Sequence, residues 1–271
     1  MNRFEKLYNN KSTEILNIYT TIGYPSMTAT CDIVRALSDG GVDIIELGIP
    51  YSDPLADGPV IQESSRIAIE NGFSLHRMFD LLEEIREQTQ IPIVLMGYLN
   101  PLLQYGMASF LKRCKSVGVD ALIIPDMPPE IYESTYREQF KKFGIGAIFL
   151  ITPNTSAKRI QKVDQLSDSF VYMVSSNAIT GKKLSVDQQK TAYFERIASM
   201  NLTTPQLIGF GIHNPETLQQ AFKYANGAII GSAFIQHIGK NSTMTIHEKV
   251  EQFIGHFGQS ERLSKTKTIQ H

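Results

Sequence analysis

The chain has 271 residues, a hydrophobic share of 42% and a formal net charge of −1, with Lys and Arg spread along its length. A balanced charge without a clustered basic face excludes the electrostatic footprint of a nucleic-acid binder, and no apolar run reaches the ~20 residues that span a bilayer. Cys31 and Cys114 lie far apart with no metal-ligand spacing and read as small buried hydrophobes of a reducing compartment. The polar start (Asn2, Arg3, Glu5, Lys6) lacks a signal-peptide core, so the expected location is cytoplasmic.

Residues 1–14 have the pattern of a short amphipathic helix, with Phe4, Leu7 and Tyr8 on one side. Ile15 to Thr21 reads as the first strand and Met27 to Ser38 as a helix that Asp39-Gly40-Gly41 ends. Val42 to Leu47 is the second expected strand. Helices follow over Gln62–Glu70 and, capped by Ser74, Leu75–Gln88. Ile91–Met96 is the third strand, left through the loop Gly97-Tyr98-Leu99-Asn100-Pro101. Then come a helix over Met107–Val117, a strand over Ala121–Ile124, a helix over Glu130–Phe143, a strand over Ile145–Ile151 and a helix from Ser156 to Leu166. Phe170–Val174 is the sixth strand. A polar loop runs from Ser175 to about Gln189, followed by a helix to Met200. Gln206–Gly209 and Ala228–Ile230 complete the strands, separated by a helix that Asn214-Pro215 opens. Gly231-Ser232 starts the last barrel helix, and Ile246–Phe257 is a terminal helix.

Eight short apolar strands alternating with helices imply parallel strands with helical crossovers. At this length they predict one closed (β/α)8 TIM barrel with an extra N-terminal helix and further extra helices. An open doubly wound sheet is the alternative, but no Gly-x-Gly-x-x-Gly follows the first strand. Residues 1–258 form the expected single domain and 259–271 a polar, frayed tail.

The stretch Glu46-Leu47-Gly48-Ile49-Pro50-Tyr51-Ser52-Asp53-Pro54-Leu55-Ala56-Asp57-Gly58-Pro59 carries the chemistry. Glu46 stands in a strand that should be apolar on both faces, where a carboxylate is paired, neutralised or used. Asp53 and Asp57 follow in a proline-stiffened loop; alone, either could be a turn former or a helix cap. In a barrel of this kind catalytic groups gather at the C-terminal strand ends. Glu46 at the end of the second strand, Tyr98 and Asn100 after the third, Asp126 after the fourth and Tyr172 near the end of the sixth are expected to converge there. Gly209-Phe210-Gly211 and Gly231-Ser232, at adjacent strand ends, suit a phosphate held by backbone N–H groups. The glycines could also serve tight turns alone. His76, His213 and His237 lack ligand spacing, so no metal is expected.

The long stretch resembles the signature of the tryptophan synthase alpha subunit family. Tyr98-Leu99-Asn100-Pro101, Pro125-Asp126-Met127-Pro128, Thr152-Pro153-Asn154, Thr180-Gly181, Gly209-Phe210-Gly211 and Gly231-Ser232 follow in family order, over about residues 12–240. The resemblance implies a lyase that splits indole-3-glycerol phosphate into indole and glyceraldehyde 3-phosphate by retro-aldol chemistry. It makes Glu46 the general acid and base, Asp57 the carboxylate at the indole N–H, and Tyr172 a neighbour of both indole and Glu46. It places Tyr19, Ile123, Leu150 and Phe210 around the indole, and Gly181, Gly211, Gly231 and Ser232 at the phosphate; Tyr98 and Thr180 are further expected substrate contacts. It also implies a beta subunit partner, in an alpha2-beta2 heterotetramer, that carries pyridoxal phosphate; no cofactor is expected on this chain. The chain departs from the family pattern at Ala178, where Gly is usual, and at Ser176, where Arg is frequent. A phosphosugar isomerase on the same barrel and a non-catalytic activator of a partner are the competing functions. The isomerase would need an acid and a base but does not explain three carboxylates on the second-strand end and loop, and intact Glu46 and Asp57 argue against the activator.

Overall fold

The structure is a computed structural model that describes residues 1–175, 186–209, 211–240 and 243–258. Its strands are β1 (Ile15–Thr21), β2 (Ile44–Gly48), β3 (Ile93–Met96), β4 (Ala121–Ile123), β5 (Gly146–Ile151), β6 (Val171–Val174), β7 (Gln206–Gly209) and β8 (Gly227–Ile230). They pair in parallel in sequence order, and β8 closes onto β1, with Ile15 opposite Gly227 and Ile18 opposite Ile230. The expected closed (β/α)8 barrel is therefore the observed one.

A repeated polar clasp starts the strands in pairs. The Asp43 carboxylate, just before β2, accepts the Leu16 N–H of β1 at 2.8 Å. Asp120, before β4, accepts Ile93 N–H of β3 at 2.9 Å. Asp168, before β6, accepts Ala147 N–H of β5 at 3.0 Å, and the Asn226 side-chain oxygen, before β8, accepts Gln206 N–H of β7 at 2.9 Å. Each clasp occupies a backbone donor at the N-terminal mouth of the barrel, where the ladder has run out and an unpaired group would be costly.

Alternation along the strands divides the side chains between two apolar clusters. Leu16 and Ile18, Ile45 and Leu47, and Ile93 and Leu95 face the helices; Ile15, Ile44, Val94, Ile123, Ile148, Leu207 and Ile229 fill the interior. The helix Arg3–Asn10 plugs the N-terminal end. Its N-cap Asn2 and Glu5 form a reciprocal capping box. Phe4, 4% exposed, meets Phe170 at a ring distance of 6.3 Å, and Arg3 pairs with Asp120 at 3.0 Å. Burying a phenylalanine this way stabilises by about 1.5–3 kcal/mol.

β1, β7 and the helix Leu75–Gln88 have the bounds their patterns predict. Other elements shift by a few residues at their ends, and three places differ in kind. The expected loop after β3 contains a helix, Leu99–Tyr105. Its start is capped from a distance: the Asp126 carboxylate accepts Leu99 N–H at 2.9 Å, a contact no local pattern encodes. The helix after β4 is interrupted by a π-helical turn at Tyr132–Tyr136. The helix before β7 starts at Val186, inside the stretch expected to be loop. The expected tail, 259–271, lies outside the described residues.

Candidate active site

One cavity opens at the C-terminal ends of the strands. Tyr19 of β1, Glu46 of β2, Met96 of β3, Tyr172 of β6 and Ile229 of β8 line it, with Asp57 and Ile61 on one side and Gly211, Ile212, Gly231 and Ser232 on another. Period-two alternation places these strand residues inward. Tyr19 pairs in register with Glu46, and Leu150 with Tyr172. Glu46 is the middle residue of β2, and Gly48 ends the strand; the expectation that Glu46 would end it is corrected.

Glu46 is fully buried. Asn17 Nδ2 donates to its Oε2 at 2.9 Å, and Oε1 has no partner among the described residues. Burial pushes its pKa from 4.5 up to about 8; the Asn17 bond pulls it down and the nearby Asp57 charge adds to the rise. The carboxyl therefore holds a proton near neutral pH, and Glu46 is one of the residues that line the cavity.

Asp57 sits immediately before the helix Pro59–Glu70. The N-cap is Gly58, which makes no side-chain cap bond, so Asp57 is not spent on capping. Its carboxylate lines the cavity instead. Burial raises its pKa and a hydrogen bond from Tyr98 lowers it. Tyr98 also accepts Ala56 N–H at 3.0 Å, and Gln62 donates to the Asp57 carbonyl at 2.7 Å. Tyr98 thus holds the Asp57 loop and stands outside the cavity lining. Asp53 is exposed and accepts from the neighbouring Ser52 hydroxyl, away from the cavity.

The two tyrosines fit because glycines lie beneath them. A Cβ at Gly48 would come within 2.0 Å of the Tyr19 hydroxyl, and one at Gly209 within 2.3 Å of the Tyr172 hydroxyl. Gly209 is accordingly taken up by packing. Burial raises both phenol pKa values, and the Glu46 and Asp57 charges push the same way, so both rings stay protonated. At the glycine-rich end, Gly211 has φ +78°, which only glycine adopts without strain. Gly231 differs: a Cβ there would meet the nearest atom, Tyr19 Cβ, at an ordinary 3.6 Å. Among the described residues no neighbouring side chain demands glycine at 231, which leaves room for something held in the cavity.

Ile123 belongs to the interior apolar cluster and Leu150 packs against it; both stand outside the cavity lining, while Leu150 pairs in register with Tyr172, which lines it. Asp126 caps a helix, and Asn100 Nδ2 reaches the Tyr51 hydroxyl at 3.5 Å; neither lines the cavity. Thr180, Gly181 and Phe210, with Ser176 and Ala178, lie outside the described residues. The sequence pattern missed Asn17, Ile61, Met96, Ile212 and Ile229. Asn17 had a signal: it is a polar residue two before Tyr19 in an otherwise apolar half-strand, hence on the same face.

The family model described as Tryptophan synthase alpha chain matches residues 4–262. The tryptophan synthase alpha chain of Flavobacterium psychrophilum is 50% identical over 253 residues, covering 93% of this chain and 99% of that protein. The corresponding chain of Flavobacterium johnsoniae is 48% identical over 256 residues, 94% of this chain and 99% of the other. Among solved structures, tryptophan synthase subunit alpha from Legionella pneumophila superposes with a TM-score of 0.84 at 28% identity, covering 98% of this chain and 99% of that one. The tryptophan synthase complex from Pyrococcus furiosus gives a TM-score of 0.80 at 32% identity, covering 91% and 98%. With nearly its whole length matched and half its residues shared with such relatives, the chain belongs to the tryptophan synthase alpha chain family.

Proposed function

We infer that this chain is the lyase of tryptophan biosynthesis that cleaves indole-3-glycerol phosphate to indole and glyceraldehyde 3-phosphate. The observation that carries the reading at the level of chemistry is Glu46: a fully buried carboxyl, protonated near neutral pH, with one oxygen unpartnered among the described residues, in a residue that lines the same cavity as Asp57.

The steps follow from that pair. Glu46 gives its proton to the ring carbon that bears the glycerol side chain. The ring becomes a cation with its charge at nitrogen, and the Asp57 carboxylate, accepting the ring N–H, stabilises it. The Glu46 carboxylate then takes the proton from the hydroxyl on the adjacent side-chain carbon. That oxygen forms the aldehyde carbonyl, the bond between the two carbons breaks, and its electron pair returns to the ring. Indole keeps the proton from Glu46, and Glu46 ends protonated. Tyr19 and Tyr172 pack beside the reacting ring. Gly211, Gly231 and Ser232 receive the phosphate through backbone and hydroxyl donors, and Thr180, Gly181 and Phe210 complete the site in this reading. No step calls for a metal.

Residues 1–258 act as one domain in this account. The partner is a beta subunit in an alpha2-beta2 assembly; pyridoxal phosphate belongs to that subunit and none to this chain. Among the described residues no helix is long and apolar enough to cross a membrane, which suits a cytoplasmic enzyme. Incubating the purified chain with indole-3-glycerol phosphate and measuring indole, with and without a beta subunit, tests the reading. Turnover of phosphoribosyl anthranilate without indole release would replace it with the isomerase.

A further inference from the structure

We propose that Asn17 is a positioning residue for the lyase reaction: its amide pins Glu46 Oε2 and so makes Oε1 the oxygen that carries the proton and presents it to the substrate. The proposal rests on the reading of Glu46 as general acid.

Asn17 and Glu46 project inward from the neighbouring strands β1 and β2. Asn17 is in register with Ile44, and Glu46 is two residues further along, so the two side chains meet on a diagonal. Both are fully buried. Nδ2 of Asn17 donates to Oε2 at 2.9 Å. Glu46 Oε1 and Asn17 Oδ1 have no hydrogen-bond partner among the described residues. Most inward positions nearby are apolar, Ile15, Ile44 and Val94 among them. A buried amide with an unpartnered oxygen is a cost that packing alone does not justify.

The bond decides which oxygen is the acid. A protonated carboxyl has one oxygen that can only accept and one that donates. The oxygen held by the Asn17 N–H is the accepting one, so the proton resides on Oε1, the oxygen left without a partner among the described residues. The last torsion of a glutamate is broad and nearly two-fold. Without the amide, the carboxyl could present either oxygen at a range of angles, and proton delivery to one ring carbon would lose its preset geometry. The other ionisable groups facing Glu46 are Tyr19 on β1, Tyr172 on β6 and Asp57 on its loop; on β3 the facing residues, Val94 and Met96, are apolar. Among the described residues, only Asn17 donates to the carboxyl. The same bond favours the ionised form and so moderates the rise that burial imposes.

The test uses Asn17→Leu, close in size and without a donor, and Asn17→Val, a strand former, should the first not fold. The protonated-carboxyl infrared band is assigned by difference against Glu46→Gln and followed against pH without substrate. In the wild type the band should fade as pH rises through about 8. In both variants the midpoint should rise by about one to two pH units, the size expected for losing a hydrogen bond to a charged group. The alkaline limb of kcat/KM should move with it, and kcat should fall about 10- to 100-fold with KM little changed. If the midpoint and the limb stay in place while only thermal stability or KM changes, Asn17 is a packing residue and the proposal is overturned. If the midpoint shifts but wild type releases no indole, the Asn17–Glu46 hold stands and the lyase reading fails.

Discussion

The ring of Tyr19 lies across Gly48 so closely that a methyl group at position 48 would sit 2.0 Å from the tyrosine hydroxyl. Tyr19 lines the cavity in register with Glu46 on the neighbouring strand, so the glycine that ends β2 sets the wall of the active site. Gly48→Ala must therefore push Tyr19 into the cavity or move β2. The expected cost is that of overpacking, about 1–3 kcal/mol, with indole release reduced. Thermal unfolding and steady-state kinetics on the same variant check both. Unchanged values would mean that Tyr19 has another place to go.

Glu46→Gln keeps size and polarity but removes the proton. Loss of general acid and base help should lower the rate about 10²- to 10⁴-fold, with substrate binding largely kept. Equilibrium binding to the inactive variant together with single-turnover cleavage measures the two apart. A variant with wild-type turnover would take Glu46 out of the mechanism.

Stability should carry the same signature. The Glu46 pKa is raised from 4.5 to about 8 by burial, so the folded state binds a proton that the unfolded chain releases. The contribution is fully present below pH 4.5 and is lost as pH rises toward 8, at up to about 1.4 kcal/mol per pH unit. The stability of Glu46→Gln relative to wild type should therefore grow between those values and level off above them. Denaturant titrations of both proteins across that range would show it; a constant difference would contradict the raised pKa.

At the other end of the cavity, Gly231→Ala should leave folding nearly untouched, because its Cβ would make only ordinary contact with Tyr19. It should weaken phosphate-bearing ligands far more than free indole. Calorimetric titration with glycerol 3-phosphate and with indole separates the two. Equal weakening would make position 231 structural and remove the main support for a phosphate cradle.

Tyr98→Phe removes the acceptor for Ala56 N–H and the hydrogen bond to Asp57. The bond lowers the Asp57 pKa, so its loss should raise that pKa and shift the acid limb of the pH–rate profile upward. About 1 kcal/mol of loop anchoring should go as well. An acid limb that does not move would mean that Tyr98 and Asp57 are not coupled in solution.

Much of this protein is legible in one dimension because its signals are local. The spacing of apolar residues marks β1, β7 and the helix Leu75–Gln88, and capping chemistry marks the starts at Ser74, Ser156 and Asn214. Burial penalties make a glutamate in an apolar strand conspicuous, so Glu46 could be singled out by residue type alone. The tertiary structure decided what depends on distance between strands and loops. The tertiary fold pairs β1 with β2 and so brings Asn17 against Glu46, two residues separated by a whole helix in the chain. It sets Asp57 in the cavity and leaves the helix cap to Gly58. It also gives two conspicuous residues structural work: Asp126 caps the helix after β3, and Tyr98 holds a loop. Glycines divide the same way. Gly211 is required by its own backbone angle, Gly48 and Gly209 by the tyrosines above them, and Gly231 by no neighbour among the described residues. For Gly48 and Gly209 the reason lies in the space around the glycine, and that space exists only once the neighbouring strands have paired.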